Sequence, residues 1–255
     1  MKNHFFAILT SWMAILQVNA QLKEIMYKEG DQKLIGFVSV PKNFNKDRPG
    51  ILILPAWNGI DNHAKESATK LSDLGYYAFV ADIYGEGNYP HNSLEAAERA
   101  GYYKKNYLQY QTRIRLALEQ LIKSGANPDK IVVMGYCFGG TGALEAARGN
   151  LPINGVVSFH GGLGKDASRT PNTFSAKILV CHGADDPYVP QEEVLSFQKE
   201  MRDAKADWQM NYYANAVHSF TDSKAGNDNS KGAAYNEKAD QRSWKQFLLF
   251  LKEVL

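Results

Sequence analysis

The chain reads as an α/β protein built on a mainly parallel central sheet with helices on both faces. Three observations carry that reading. Apolar, β-branched runs recur along the chain, and Ile51-Leu52-Ile53-Leu54 is continuous rather than alternating, as in a strand buried on both faces. Segments with helical spacing lie between these runs. No Pro/Ser-rich linker divides the 255 residues, a length that one generous domain accommodates.

Each element has its own signal. Lys23 to Tyr27 and Leu34 to Val40 alternate apolar and polar around Gly30-Asp31, the pattern of a hairpin. After the Ile51 strand, Asp61 is a candidate cap for a helix over Asn62 to Leu74, closed by Gly75. Tyr77 to Ala81 forms the next strand. A long polar segment rich in tyrosine follows, and then a helix whose Ile114, Leu118, Leu121 and Ile122 fall on one stripe. Lys130 to Met134, Ile153 to Phe159, Lys177 to Cys181 and Trp208 to Tyr213 are the later strands. The last helix runs from about Tyr235 to Val254, with Trp244, Phe247, Leu248 and Leu251 at i, i+3, i+4 and i+7. In sheets of this kind sites collect at the C-terminal ends of the strands.

The bulk chemistry excludes some partners. A net charge of +2 and a pI near 8.3 are too mild to argue for nucleic acid or an anionic membrane surface. The N-terminus has the marks of a secretory signal: Lys2, an apolar stretch from Phe5 to Val18, and Val18-Asn19-Ala20 as a cleavage site. That stretch is shorter than the roughly 20 residues needed to span a bilayer. The expectation is a signal over residues 1–20 and an exported domain over 21–255, periplasmic or secreted, monomeric, with no membrane attachment after cleavage.

The most informative segment is Gly135-Tyr136-Cys137-Phe138-Gly139-Gly140, directly behind Ile131-Val132-Val133-Met134 and ahead of the helix formers Leu144 to Ala147. Strand, sharp turn and helix in that order form the layout of a nucleophile elbow, with cysteine in place of serine. A sulfur at a helix N-terminus is biased toward thiolate. The alternative is a buried structural cysteine in an ordinary turn. Of the two cysteines, Cys181 lies inside its strand and reads as a small core residue, which leaves Cys137 as a free thiol.

A cysteine nucleophile requires a base and a carboxylate behind the base. Gly183-Ala184-Asp185-Asp186-Pro187 ends the Lys177 strand and offers the acid. His218, just past the strand that ends at Tyr213, offers the base. Nucleophile, acid and histidine then follow the chain order of this architecture.

These motifs resemble the dienelactone hydrolase family of the α/β-hydrolase superfamily. The resemblance rests on Gly-x-Cys-x-Gly-Gly at 135–140, Gly-x-x-Asp at 183–186, His218-Ser219-Phe220, Ala81-Asp82-Ile83-Tyr84-Gly85 and Ala234 to Asp240. It implies an α/β-hydrolase fold with an eight-stranded sheet and a triad of Cys137, His218 and Asp186. It further implies cleavage of a carboxylic ester or lactone through an acyl-thioenzyme, with no metal or organic cofactor. The elbow geometry assigns the oxyanion hole to the backbone N–H groups of Phe138 and Trp57.

Two departures from the family pattern stand out. The loop that usually carries an activating glutamate has Ala56 at that place, with no carboxylate from Pro55 to Ile60. The position after the histidine that carries a substrate-binding arginine in dienelactone-specific enzymes is occupied by Ser219-Phe220-Thr221-Asp222, so the dienelactone itself is disfavoured as substrate. The segment holding Tyr84, Tyr89, Tyr102, Tyr103, Tyr107 and Tyr110 has two readings. It is either an aromatic-rimmed substrate mouth, with Tyr84 and Arg99 as binding residues, or a helix packing its rings on the domain. His63, His91 and His160 show no metal-ligand spacing. The run Thr221 to Gly232 lacks the ligand pattern of a calcium loop and reads as a loop only. Ala56 also leaves room for a binding protein that lost catalysis, and the same triad would serve acyl transfer or peptide cleavage.

Overall fold

A computed structural model describes residues 22–43, 46–169 and 173–255. The expected signal over 1–20 lies outside the described residues. The chain forms β1 (Lys23–Glu29), β2 (Gln32–Ser39), β3 (Gly50–Leu54), α1 (Asn62–Asp73), β4 (Tyr77–Val80), α2 (Ser93–Lys105) and α3 (Tyr107–Lys123). Then come β5 (Ile131–Tyr136), α4 (Phe138–Arg148), β6 (Gly155–Phe159), β7 (Lys177–Gly183), α5 (Gln191–Asp203), β8 (Trp208–Tyr213) and α6 (Glu237–Val254).

The strands make one eight-stranded sheet in the order β1-β2-β4-β3-β5-β6-β7-β8. The β1–β2 hairpin turns at Gly30 and runs antiparallel to the rest through β2 and β4. From β4 to β8 every pairing is parallel. Strand periodicity divides the core in two. In β3, Ile51 and Ile53 pack with the α1 and α6 residues Ala68, Leu71, Phe247 and Leu251. Leu52 and Leu54 face the α3 and α4 residues Ile114, Leu118, Leu121 and Leu144 on the other side. Burying each such aliphatic side chain is worth roughly 1.5–3 kcal/mol, which is why the central strands are apolar on both faces.

Caps define the helices. Asp61 accepts the Ala64 N–H at 2.9 Å and starts α1. Asn92 accepts the Glu95 N–H at 3.0 Å while Glu95 accepts the His91 N–H at 2.9 Å. That reciprocal box starts α2 inside the tyrosine-rich segment, and Asn92-Ser93-Leu94-Glu95 was its readable signal. The rings of that segment mostly turn inward: Tyr84, Tyr103 and Tyr110 are buried, whereas Tyr102 is exposed. Among the described residues no helix is long and apolar enough to cross a membrane.

Candidate active site

Strand β5 lies in the middle of the sheet, between β3 and β6, and delivers Cys137 to its C-terminal edge. Cys137 has φ 53° and ψ −116°, a backbone state that L-residues avoid at a cost of about 1–3 kcal/mol. Its neighbours hold it there. The Cys137 N–H donates to the Phe159 carbonyl at 3.0 Å, and the Cys137 carbonyl accepts from the Thr141 N–H at 3.2 Å. The flanking glycines are required by space: a Cβ at Gly135 would lie 2.0 Å from the Gly139 carbonyl oxygen. One at Gly139 would lie 2.1 Å from that of Leu54.

The other members arrive on loops leaving β7 and β8. His218 is pinned by two backbone bonds, its N–H to the Gly232 carbonyl at 3.2 Å and its carbonyl from the Ala234 N–H at 3.0 Å. Its Nδ1 lies 2.8 Å from Asp186 Oδ2, and the Asp186 side chain is fully buried. The second Asp186 oxygen accepts the Tyr188 N–H at 2.9 Å, so the carboxylate has little freedom to turn. Asp185 points to solvent, one residue out of register. The structure thus brings together Cys137, His218 and Asp186.

Electrostatics tie the three together. Burial opposes a charged imidazole, but hydrogen bonds with Asp186 and Cys137 and their negative charges outweigh it and lift the His218 pKa to about 10. Burial likewise opposes a Cys137 thiolate. The hydrogen bond from His218, its positive charge, the Phe138 N–H and the charge of Lys104 overcome that and hold the thiol below its ordinary pKa. Both shifts run in the direction of a thiolate–imidazolium pair. Cys181 shows the contrast: burial outweighs its hydrogen bond with Tyr213 and pushes its thiol up to about 12.

A cavity of about 390 Å³ opens over the sulfur, within the range of small-molecule sites. Trp57, Phe138, Tyr188 and His218 line it, as do Lys104, Asp61 and Asp222. Phe138 is the first residue of α4, so its N–H has no partner within the helix, and Trp57, on the loop after β3, lines the same cavity as Cys137. Ala56 is also on the wall. The nearby carboxylates are committed elsewhere, Asp61 to the Ala64 N–H and Asp222 to the Lys224 N–H at 2.9 Å.

Two expected binding residues lie elsewhere. Arg99 and an edge of Tyr84 line a separate surface pocket with Asn88, Tyr102, Tyr103 and Arg113. The reason is helical phase: Arg99 and Lys104 stand five positions apart, about 140° around α2, so only Lys104 faces the sulfur. Tyr84 is turned into the core, 3% exposed, where its hydroxyl donates to the Trp57 carbonyl at 2.8 Å.

The lone histidines also find a role in packing. Thr221 Oγ1 sits 2.8 Å from His160 Nε2 and 3.3 Å from His63 Nε2, and the His160 ring edge-packs against His218. Among the described residues no group of His, Cys, Asp and Glu could hold a metal ion. Tyr188, whose ring stands 5.3 Å from that of His218, was missed by sequence reasoning. Its only signal was its place two residues after Asp186.

Fold and site together define a hydrolase of the α/β-hydrolase class, acting on ester or lactone bonds. The model of the dienelactone hydrolase family matches residues 34–255, and the chain belongs to that family. It is similar to the crystal structure of a dienelactone hydrolase-like promiscuous phosphotriesterase from metagenomic libraries. The two are 34% identical with a TM-score of 0.86, over 92% of this chain and 98% of the other. A Bradyrhizobium sp. protein with the name "Probable 2-oxo-3-(5-oxofuran-2-ylidene)propanoate lactonase" is 28% identical, over 80% of this chain and 83% of its own. An Aquifex aeolicus protein named for carboxymethylenebutenolidase activity is 24% identical, over 91% and 98% respectively.

Proposed function

We propose that the chain cleaves carboxylic esters or lactones through an acyl-thioenzyme formed on Cys137. The observation that carries this reading is the His218 imidazole, held at 2.8 Å by a buried Asp186 and hydrogen-bonded to a cysteine at a strained strand-to-helix turn. The Cys137 thiolate attacks the carbonyl carbon, and the carbonyl electron pair moves onto oxygen. The N–H groups of Phe138 and Trp57 hold that oxyanion, each worth about 3–4 kcal/mol in the transition state. As the intermediate collapses, the C–O bond breaks and the His218 imidazolium passes its proton to the leaving oxygen. The neutral imidazole then takes a proton from water, which attacks the thioester, and the thiolate leaves with the acid as product. In a lactone the leaving oxygen stays tethered to the acyl group.

The test is Cys137→Ala against a panel of nitrophenyl esters and small lactones, with mass spectrometry of the wild type during turnover. The variant should lose activity while keeping its fold, and the wild type should gain the mass of the acyl group. Unchanged turnover in the variant would overturn the mechanism. Phosphotriesters are a second substrate class, favoured by the 34% identity to a relative named for that activity. The same panel with a nitrophenyl phosphotriester decides it.

The reading includes export. Cleavage after Ala20 would leave Gln21 as the first residue of the protein recovered outside the cytoplasm. N-terminal sequencing that found Met1 there would refute it.

A further inference from the structure

We propose that Tyr84 is the positioning residue of the oxyanion hole, tying its two donors together from behind. Its hydroxyl donates to the Trp57 carbonyl at 2.8 Å. Its ring stacks on that of Phe138, with centroids 5.7 Å apart and planes 18° apart. One buried side chain thus touches both residues whose amides face the reacting oxygen. The inference rests on the proposed triad and oxyanion hole.

The two donors differ in how much support they need. Phe138 is the first residue of α4, directly after the elbow, so the turn and the helix already fix its peptide. Its carbonyl accepts a further bond from Tyr110 at 3.0 Å, and the Tyr110 ring stacks on it at 4.6 Å. Trp57 stands on a loop, inside a turn closed by the Gly59 N–H on the Ala56 carbonyl at 3.0 Å. The Tyr84 hydroxyl fixes the peptide that follows Trp57 and so restricts rotation about that residue. The Gly59 bond holds the Ala56–Trp57 peptide that carries the N–H, and the Tyr84 bond holds the peptide after it, so without Tyr84 the donor is anchored from one side only.

Tyr84 is itself held rigidly. Asp82, two residues earlier, is buried and accepts the Ile35 N–H at 2.8 Å, the Gly85 N–H at 2.8 Å and the Tyr89 hydroxyl at 2.7 Å. These bonds lock the turn on which Tyr84 sits. Such support determines catalysis because donors must be aimed before the charge develops, and a misplacement near 1 Å costs about a hundredfold.

The experiment compares Tyr84→Phe and Tyr110→Phe with the wild type and with Cys137→Ala. Tyr84→Phe should lower kcat about tenfold with little change in KM, a part of the 10²–10³ that a whole oxyanion donor supplies. Affinity for a trifluoromethyl ketone, which forms a tetrahedral adduct with the sulfur, should fall by the same factor as kcat/KM. The pH profile of Cys137 alkylation by iodoacetamide should stay in place, because that displacement of iodide builds no oxyanion. Tyr110→Phe should lose less kcat than Tyr84→Phe. A Tyr84→Phe enzyme with wild-type kcat and ketone affinity would overturn the proposal, as would a shift of its alkylation profile equal to the loss of rate. Turnover by Cys137→Ala would instead overturn the triad on which the proposal rests.

Discussion

Replacing Asp186 by Asn tests whether the resting site is an ion pair. Asp186 is fully buried and accepts from His218 Nδ1 at 2.8 Å, and Asn keeps that bond but removes the charge. Hydrogen bonds to charged groups are worth about 1.5–3 kcal/mol, so the imidazolium should lose about one to two pKa units. The His218 pKa near 10 then falls to roughly 8–9. Because the imidazolium is the acid for the leaving group, the alkaline limb of kcat/KM should move down by the same amount. At pH 7 the ring enters acylation, the step that kcat/KM reads, as an imidazolium with a proton on both nitrogens, so no wrong tautomer arises in that step. The loss at pH 7 should therefore be about 10–100-fold, well short of the 10⁴ seen when a serine triad loses its aspartate. The stability effect has a definite sign. A raised His218 pKa stabilises the fold fully below about 6.5 and not at all above about 10, so the penalty measured in urea should shrink across that window. Stopped-flow pH–rate profiles and urea titrations measure both. An alkaline limb that stays in place, or a loss near 10⁴ at pH 7, would show that His218 rests neutral.

Two further outcomes follow from packing around the sulfur. Native protein should react with Ellman's reagent at a single thiol and unfolded protein at two, because Cys181 is buried and its thiol is pushed up to about 12. Two fast thiols in the native state would contradict the burial of Cys181. Gly139→Ala should destabilise by about 3 kcal/mol or more, since its Cβ would sit 2.1 Å from the Leu54 carbonyl oxygen, backbone that has no room to withdraw. A thermal melt unchanged from wild type would mean that the turn is looser than described.

The fold and the clustering of Cys137, His218 and Asp186 were legible in the sequence for the same reason: both depend on backbone chemistry that leaves local marks. Continuous β-branched runs marked strands with two covered faces, and the elbow needed glycine at 135 and 139 where other backbone passes within a Cβ's reach. The residues around the triad depend on rotation and packing, which leave weaker marks. Arg99 and Lys104 share a helix, and only the phase of α2 against the sheet decides which of them reaches the cavity. The tyrosines between 84 and 110 suited a substrate mouth equally well until the buried Phe138 ring drew Tyr84, Tyr103 and Tyr110 inward around it.

Ala56 looked at first like a lost activating group, and the electrostatics of the site reverse that argument. A carboxylate beside the sulfur is a like charge, so while ionised it raises the thiol pKa and disfavours the thiolate. Burial opposes the thiolate on Cys137, and no carboxylate stands among the leading influences on it. The groups that do act are His218, the Phe138 N–H and Lys104, and each of them favours the thiolate. Asp61 and Asp222 lie on the cavity wall but are tied to backbone N–H groups of their own segments. The alanine therefore fits a nucleophile that its remaining neighbours bias toward the thiolate. With Ala56 that bias stands, and the aim of the proposed oxyanion donors is left for the surrounding residues to control.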